Sequence, residues 1–231
     1  MWELRDHRYG GRKKRYEQFP KGVLRCLDPL TKRPVSFANE LQFENWLLHW
    51  GNTKVRELIV SPGRYSCLEQ GKSISIRPHL LVKWTDASKS DEIQIVTSLC
   101  LQAETVKVAK IQKVALANDL NWSIRTRLEI RRNTVLLDNL LHFRQCLAIT
   151  ADDDLAPAID VALKVIESKI ELHRADLFDA LHDVCNTETQ MDALLFHLIR
   201  AGKISLPIEY KKIGNCTCIL RVRPCDELKS N

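Results

Sequence analysis

Apolar and polar residues follow two different periods along this chain, and the change of period predicts its elements. Between residues 36 and 50, positions placed about 100° apart give a broad apolar face, which predicts a helix capped by Ser36 and ended by Gly51. A narrow polar stripe on this helix consists of Gln42, Asn45 and His49. Strands are predicted at 55–60, 73–84, 92–99 and 121–130, and further helices at 101–120 and 134–147. This order of elements predicts an α/β core.

The last third of the chain has a different pattern, in which three short helices precede a two-stranded ribbon. An acidic, loop-like stretch at 152–154 is the predicted linker, so residues 151–231 are expected to fold alone. Helices are predicted at 157–170, 174–185 and 189–200, and strands at 203–210 and 216–222. Because these local signals agree with one another, they predict a winged helix. The predicted domains are a basic N-terminal arm at 1–34, an α/β domain at 35–150 and a winged-helix domain at 151–231.

Length, composition and charge are those of a folded protein with a preference for polyanions. The chain has 231 residues, of which 45% are hydrophobic and 28% are charged, and its formal net charge is +6. Its apolar runs are shorter than the roughly 18 residues of a membrane-spanning helix. The N-terminus lacks the apolar core of a signal peptide, so we expect a cytoplasmic protein that does not enter a membrane.

Eight cysteines are scattered along the chain without a Cys-x-x-Cys pair. Cys216 and Cys218 share one face of a predicted strand, so a zinc site with a histidine of the C-terminal part is conceivable. The histidines in question are His173, His182 and His197. Their spacings fit no familiar ligand pattern, so we expect reduced, mostly buried thiols and no bound metal.

Two basic segments are candidates for contact with a phosphate backbone. The first consists of Arg12, Lys13, Lys14 and Arg15, which lie beside aromatic residues that could stack on bases. A solvated tail is the alternative for this segment. The second consists of Lys211 and Lys212 in the predicted turn of the winged helix.

The third helix of the predicted winged helix carries little positive charge. Its polar residues include Glu188, Asp192, His197 and Arg200, while its leucines are expected in the core. An outer face with Glu188 and Asp192 would repel DNA phosphate, which argues against insertion into a major groove. Two roles stay open for this domain, protein contact through the helix and DNA contact through the turn.

Glu40 and Glu44 fall inside the apolar arc of the first helix, one turn apart. Two carboxylates on a mainly buried face cost free energy unless another group pairs with them. They are therefore either the remnant of a metal or catalytic site or one half of an internal salt bridge.

Two strand segments link the chain to a known family. The first reads Arg77-Pro78-His79-Leu80-Leu81-Val82, and the second reads Glu92-Ile93-Gln94-Ile95-Val96. Together with the helix that contains Glu40 and the segment Val55-Arg56-Glu57, they resemble TnsA, the endonuclease-fold subunit of the heteromeric transposases of cut-and-paste transposons. The resemblance covers about residues 30–225 in element order. It implies a restriction-endonuclease-like mixed-sheet domain followed by a C-terminal winged-helix domain.

The resemblance also implies roles for single positions, and this chain departs from most of them. In the family a helix Glu, the Asp of a Pro-Asp and a Glu/Gln-x-Lys bind metal and cut the 5′ ends of the transposon. The corresponding positions here are Glu40 (or Asn39 if the register shifts by one), His79, Gln94 and Val96. His79 is a poor ligand for Mg²⁺, and Val96 has no charge to steady the attacking water. We therefore expect a decayed nuclease centre without a cofactor.

The surviving role that the resemblance implies is architectural. In TnsA-type systems the subunit binds the transposon-end DNA and contacts the DDE transposase and an AAA+ ATPase regulator, so these are the expected partners in DNA transposition. One alternative is an active endonuclease with a Mg²⁺ site rearranged onto Glu40, Glu44, His79 and Glu92. Another is a winged-helix DNA-binding regulator without a part in transposition.

Overall fold

The computed structural model of the chain describes residues 23–97, 105–169 and 171–222. Its helices are α1 (Glu40–Trp50), α2 (Thr105–Leu116), α3 (Arg127–Ile130), α4 (Thr134–Ile149), α5 (Ala156–Ser168), α6 (Arg174–Ala180) and α7 (Glu188–Arg200). Its strands are β1 (Leu24–Leu27), β2 (Pro34–Phe37), β3 (Val55–Val60), β4 (Tyr65–Glu69), β5 (Lys72–Ile76), β6 (Leu80–Trp84), β7 (Glu92–Thr97), β8 (Asn121–Thr126), β9 (Ile204–Ser205) and β10 (Leu220–Arg221). None of the helices in the described ranges is long and apolar enough to cross a lipid bilayer.

A four-stranded mixed sheet lies at the centre of the N-terminal part, with the strand order β3-β6-β7-β8. β3 and β7 both run antiparallel to β6, whereas β8 runs parallel to β7. A parallel pair needs a crossover connection, and the chain between these two strands contains α2. The architecture is therefore α/β with a mixed sheet, and the predicted α/β class is confirmed.

The two faces of this sheet meet different partners, because successive side chains of a strand point to opposite sides. One face packs on α2 through a cluster that contains Leu81, Ile93, Ile111 and Val114. The other face packs on α1 and α4 through a cluster that contains Leu80, Val82, Trp46 and Phe143. Glu92, Gln94 and Val96 alternate with Ile93 along β7, so their side chains lie on the face that meets α1.

Two predicted boundaries in this part are wrong, and a stronger local signal explains each one. α1 begins after Asn39, whose side-chain oxygen accepts a hydrogen bond from the amide of Gln42 at 3.0 Å, whereas Ser36 lies in β2. The predicted strand 73–84 is two strands interrupted at Pro78, and the first of them, β5, pairs with β4 in a separate hairpin. Proline has no amide hydrogen to donate to a neighbouring strand, so the ladder stops there.

The predicted strand 121–130 is also shorter than expected. β8 ends at Thr126, which forms a capping box with Glu129 and so begins the short helix α3. The amide of Thr126 donates to Glu129 Oε2 at 2.7 Å, and Thr126 Oγ1 accepts from the amide of Glu129 at 3.3 Å. This turn of helix brings Arg131 to the side of α1.

Residues at the end of the predicted basic arm are folded. β1 and β2 form an antiparallel hairpin in which Leu24 pairs with Phe37. Asp28, between these strands, is 7% exposed and accepts a hydrogen bond from Trp50 Nε1 at 3.0 Å. The hairpin is thus held to the end of α1, and residues 24–34 belong to the folded part of the chain.

One hydrophobic cluster joins the two predicted domains, with α4 at its centre. Phe143 of α4 and Trp50 of α1 both meet Phe196 of α7, with ring centroids 5.1 and 4.5 Å away. The rings of Trp50 and Phe196 are stacked at an interplanar angle of 12°. The same cluster continues to Leu177 of α6. The acidic stretch 152–154 therefore does not separate two hydrophobic cores.

Three helices and a short hairpin follow α4, in the order that the pattern predicted. β9 and β10 pair antiparallel over two residues each, so both strands are shorter than expected. A bridge between His173 and Cys218 adds a third extended segment, directly before α6. The connection between β9 and β10 is held to α4 by Asn139, whose amide donates to the carbonyl oxygens of Ile208 and Lys211, both at 2.7 Å.

Candidate functional site

His79, which precedes β6, forms hydrogen bonds to β7 through both its backbone and its side chain. Its amide donates to the carbonyl oxygen of Gln94 at 2.9 Å. Its Nδ1 accepts a hydrogen bond from the amide of Val96 at 2.8 Å. Burial lowers the pKa of His79, which fits an imidazole nitrogen that accepts a hydrogen bond. The structure thus brings three of the four predicted site positions together, with His79 as a neutral acceptor for the neighbouring strand.

Gln94 is 1% exposed and uses both ends of its side-chain amide inside the protein. Its Oε1 accepts from Asn45 Nδ2 at 2.9 Å, and its Nε2 donates to Glu92 Oε1 at 2.8 Å. Ser123 Oγ donates to the same oxygen of Glu92 at 2.5 Å. Arg125 Nε approaches Asn45 Oδ1 at 3.4 Å. The predicted ligand position is therefore one member of a hydrogen-bond network that ties α1 to β7 and β8.

His49 lies beside this network, one turn after Asn45 on α1. Burial lowers the pKa of His49 to about 4, and the positive charge of Arg125 acts in the same direction. The nearby side chains of Glu92 and Gln94 oppose this effect. Two residues of the predicted polar stripe, Asn45 and His49, therefore meet the polar side chains of the sheet.

Val96 stands where the resemblance places the lysine of the family, and it lies in an apolar cluster. It is 9% exposed and packs with Leu41 of α1 and Ile130, the last residue of α3, with Leu48 against the same cluster. A metal-dependent nuclease needs charge and water at this point, because an activated water molecule is the nucleophile. The side chain of Val96 instead packs with apolar side chains.

Glu40 and Glu44 both bind Arg131, the residue that follows α3. Arg131 Nε lies 2.6 Å from Glu44 Oε2, and Arg131 Nη2 lies 3.2 Å from Glu40 Oε2. The hydrogen bond to Glu44 contributes most to a raised pKa of Arg131. Glu44 is the more enclosed carboxylate, with 15% of its side chain exposed against 39% for Glu40. Of the two roles considered for this pair, the structure supports the internal salt bridge.

The described residues hold one set of three possible ligand side chains whose ligand atoms all lie within 4.8 Å of one another, and this set lies away from the sheet. It consists of His142, Cys146 and Asp192. Such a set is not formed by Glu40, Glu44, His79 and Glu92. Nor is it formed by Cys216 and Cys218 with the described histidines of the C-terminal part. The rearranged Mg²⁺ site considered as an alternative is therefore not assembled among the described residues.

α7 is buried over most of its length, whereas the helical pattern predicted an exposed polar face. Every residue from 191 to 196 is buried, and Asp192 is 4% exposed. The expectation that Asp192 lies on an outer face is wrong, because Arg174 and His142 hold its carboxylate in the interior. The leucines of this helix are buried as predicted, namely Leu194, Leu195 and Leu198. α7 therefore offers little surface to DNA or to a protein partner.

Asp192 connects α7 to α4 and α6 through its two oxygens. Oδ1 accepts from Arg174 Nε at 2.7 Å, and Oδ2 lies 2.7 Å from His142 Nε2. The same nitrogen of His142 lies 3.6 Å from Cys146 Sγ. The hydrogen bond to Asp192 raises the pKa of His142 to about 10, and the hydrogen bond with Cys146 adds to the effect. Arg174 is held in turn by Asn215, whose Oδ1 accepts from Nη1 at 2.9 Å.

The structure describes only one of the two basic segments that are predicted to contact DNA. Lys211 is exposed, and Lys212 Nζ lies 3.8 Å from Asp138 of α4. The residues Arg12, Lys13, Lys14 and Arg15 lie outside the described ranges. Contact of either group with DNA stays a prediction.

No protein-family model and no curated protein matches this sequence. A proposal for function therefore rests on the geometry described above and on the resemblance to TnsA.

Proposed function

We propose that this chain is a TnsA-like subunit of a heteromeric transposase, with an architectural role and a nuclease centre that no longer cuts DNA. The order of the elements supports a restriction-endonuclease-like core. A helix, α1, precedes the three antiparallel strands β3, β6 and β7, and α2 leads into the parallel strand β8. The positions His79, Gln94 and Val96 meet at the edge between β6 and β7, where the family has its active site.

The observation that carries this proposal is the packing of Val96 with Leu41 and Ile130. In the reaction of the family a metal ion activates a water molecule and a lysine steadies it, and both groups need a polar, hydrated site. Here side chains of α1 and α3 occupy the space beside Val96. The acid that remains from the family pattern, Glu40, forms a salt bridge with Arg131.

The side-chain amide of Gln94 also stabilises the fold and is not available to a metal ion. Gln94 could offer one neutral oxygen to a metal ion, but that oxygen accepts from Asn45 and the amide nitrogen donates to Glu92. A buried polar group that loses its partner costs about 1–3 kcal/mol. Metal binding would have to break this network first, so the network favours a stable scaffold over a catalytic centre.

The C-terminal part supports a winged helix, since α5, the extended residue His173, α6, α7, β9 and β10 follow the order of that motif. Because α4 and α5 cover α7, this helix is not the DNA-reading element. The same burial argues against the alternative of a winged-helix regulator that reads a major groove. We assign the phosphate contact of this domain to the loop near Lys211. The transposase and the AAA+ regulator are proposed to bind at other surfaces of the chain.

Assembly on transposon ends tests this architectural role. End DNA and the DDE transposase that this proposal implies are mixed with and without the chain in a buffer without Mg²⁺ or Mn²⁺, and the complexes are separated by native electrophoresis. We expect a larger complex that contains the chain and forms without Mg²⁺ or Mn²⁺. The substitution Lys211→Glu should weaken the complex, whereas Lys164→Glu, at an exposed lysine of α5, should not. A chain that never enters the complex would contradict the proposal.

A further inference from the structure

Three side chains of different chemistry converge where α4 crosses α7. His142 and Cys146 are four residues apart on α4, so they lie on the same side of that helix one turn apart. Asp192 reaches them from α7. The distances are 3.6 Å from Cys146 Sγ to His142 Nε2 and 2.7 Å from Asp192 Oδ2 to the same nitrogen.

This arrangement differs from a nucleophilic triad, although it contains a cysteine, a histidine and an aspartate. In a triad the nucleophile and the carboxylate contact the two different nitrogens of the imidazole, so that a proton can pass from one side to the other. Here Cys146 and Asp192 both meet Nε2. Cys146 is also 3% exposed, which keeps a substrate away from its sulfur. Donor atoms that converge on one point suit a metal ion instead.

We propose that His142 Nε2, Cys146 Sγ and Asp192 Oδ2 form a binding site for Zn²⁺. A tetrahedral zinc ion with Zn–N near 2.05 Å and Zn–S near 2.3 Å separates nitrogen and sulfur by roughly 3.6 Å. The measured separation of the two atoms is 3.6 Å. Nitrogen and carboxylate oxygen would be roughly 3.4 Å apart in the same geometry, so the 2.7 Å contact has to open slightly. The imidazole can move, since 48% of the His142 side chain is exposed.

The carboxylate is already oriented for such an ion. Arg174 Nε donates to Asp192 Oδ1 at 2.7 Å, which leaves Oδ2 to face α4. Arg174 is 2% exposed, and its Nη1 donates a hydrogen bond to Asn215 Oδ1. Outer hydrogen bonds of this kind fix metal-ligand side chains before the ion arrives. The mixture of imidazole, thiolate and carboxylate selects zinc over magnesium, which prefers oxygen ligands.

Zinc binding at this site replaces protons. The ion takes the place of the proton that His142 shares with Asp192 and of the proton on the Cys146 thiol, and both protons pass to the solvent. A water molecule completes the fourth position on the exposed side of His142. The ion then links α4 to α7, the helices that carry the contact between Phe143 and Phe196. Zinc therefore stabilises the junction between the α/β part and the C-terminal part.

Cobalt substitution and zinc calorimetry on the full chain test this site. The protein is freed of metal with a chelator, titrated with Co²⁺ and examined for the near-ultraviolet charge-transfer band of a thiolate–cobalt bond. We expect a band that saturates at one equivalent and zinc that displaces cobalt. The thermal midpoint should rise with zinc.

Matched variants identify the ligands. Cys146→Ser should abolish the charge-transfer band and weaken zinc binding at least about tenfold, whereas Cys67→Ser, at a half-buried cysteine on β4, should change neither. His142→Gln, at a half-exposed position, gives a second variant that preserves the fold and should also weaken zinc binding. A folded wild-type protein without saturable zinc binding would overturn the proposal. So would a charge-transfer band that persists unchanged in Cys146→Ser.

Discussion

The Nδ1 atom of His79 accepts a hydrogen bond from the backbone amide of Val96 at 2.8 Å. His79 and Val96 stand where the resemblance places a metal-binding acid and a lysine. These two positions are therefore joined by a hydrogen bond that connects the start of β6 to β7. In a nuclease both side chains would face a metal ion and water. Here one of them holds the neighbouring strand and the other lies among Leu41 and Ile130. The positions that the resemblance assigns to an active site are therefore part of the packed structure.

Placing a carboxylate at position 94 should destabilise the protein. In Gln94→Glu, the hydrogen bond that Gln94 Nε2 donates to Glu92 is lost and two carboxylates lie side by side. A lost buried hydrogen bond together with like charges costs about 2–4 kcal/mol. The cost should shrink at acidic pH, where the two carboxyl groups share a proton, and thermal unfolding at pH 7 and pH 5 measures it.

The control for this experiment is Gln94→Leu, which removes the hydrogen bonds to Asn45 and Glu92 without adding a charge. Its loss of stability relative to wild type should be nearly the same at both pH values. A Gln94→Glu protein as stable as wild type at pH 7 would show that the polar network is not a structural element.

His49 should make the fold sensitive to acid. Burial lowers its pKa to about 4, whereas in the unfolded chain the pKa returns to its ordinary value near 6.5. Between these values only the unfolded chain takes up a proton. The contribution of His49 to the free energy of unfolding is therefore fully present above pH 6.5 and is lost as the pH drops toward 4. The loss from this group is on the order of 3 kcal/mol.

Urea unfolding as a function of pH measures this effect. His49→Gln keeps a polar side chain without a charge change, so its stability should fall less steeply than that of wild type between pH 6.5 and 4. The nearby charges of Arg125, Glu92 and Lys89 are common to both proteins and leave the comparison intact. Identical slopes for the two proteins would rule out His49 as the source.

The element types followed from local pattern, whereas their ends depended on single residues. The apolar runs of β3 and β7 predicted strands, and both strands are present. The prediction of one strand through Pro78 is wrong, because proline has no amide hydrogen to donate to a neighbouring strand. The sequence pattern predicts Ser36 as the helix cap, although Asn39 is an equally strong cap nearer the helix. The capping pair Thr126 and Glu129 was visible in the sequence and marks the end of β8.

The partners of charged residues could not be predicted from helical periodicity. A helical wheel gives the side of a helix on which Asp192 lies, but it does not say what covers that side. Asp192 is buried because His142 and Arg174 come from other helices, 50 and 18 positions away in the chain. Arg131 reaches Glu44 from 87 positions away. Contacts of this range depend on the tertiary fold.

Residues 151–231 should not fold as an isolated fragment, in contrast to the expectation from the acidic linker. Without α1 and α4, Phe196 loses its contacts with Trp50 and Phe143. Asp192 also loses His142. Exposure of one large apolar side chain alone costs about 1.5–3 kcal/mol. A longer fragment, 134–231, keeps α4 and should be more stable, which circular dichroism during thermal unfolding measures. A cooperative transition in 151–231 equal to that of 134–231 would contradict the shared core.

The basic segment of Arg12, Lys13, Lys14 and Arg15 should bind phosphate without reading bases. Replacing all four with alanine should weaken binding evenly across DNA sequences. It should also lower the slope of log K against log salt by roughly three to four units, if each residue neutralises one phosphate. Fluorescence anisotropy at several salt concentrations measures the slope. The same slope in wild type and variant would mean that the segment is a solvated tail.

Strand cleavage at the 5′ ends of the transposon tests the central claim most directly. The chain is incubated with the DDE transposase and end DNA that the proposed function implies, in Mg²⁺ or Mn²⁺, and the strands are separated on a denaturing gel. Glu40→Gln is compared with Glu57→Gln, a variant of an exposed glutamate paired with Lys83 on the sheet. We predict no nick at the 5′ ends with wild type or either variant, because Val96 lies in an apolar cluster and Glu40 is bound to Arg131. A nick made by wild type and by Glu57→Gln but abolished by Glu40→Gln would contradict this account.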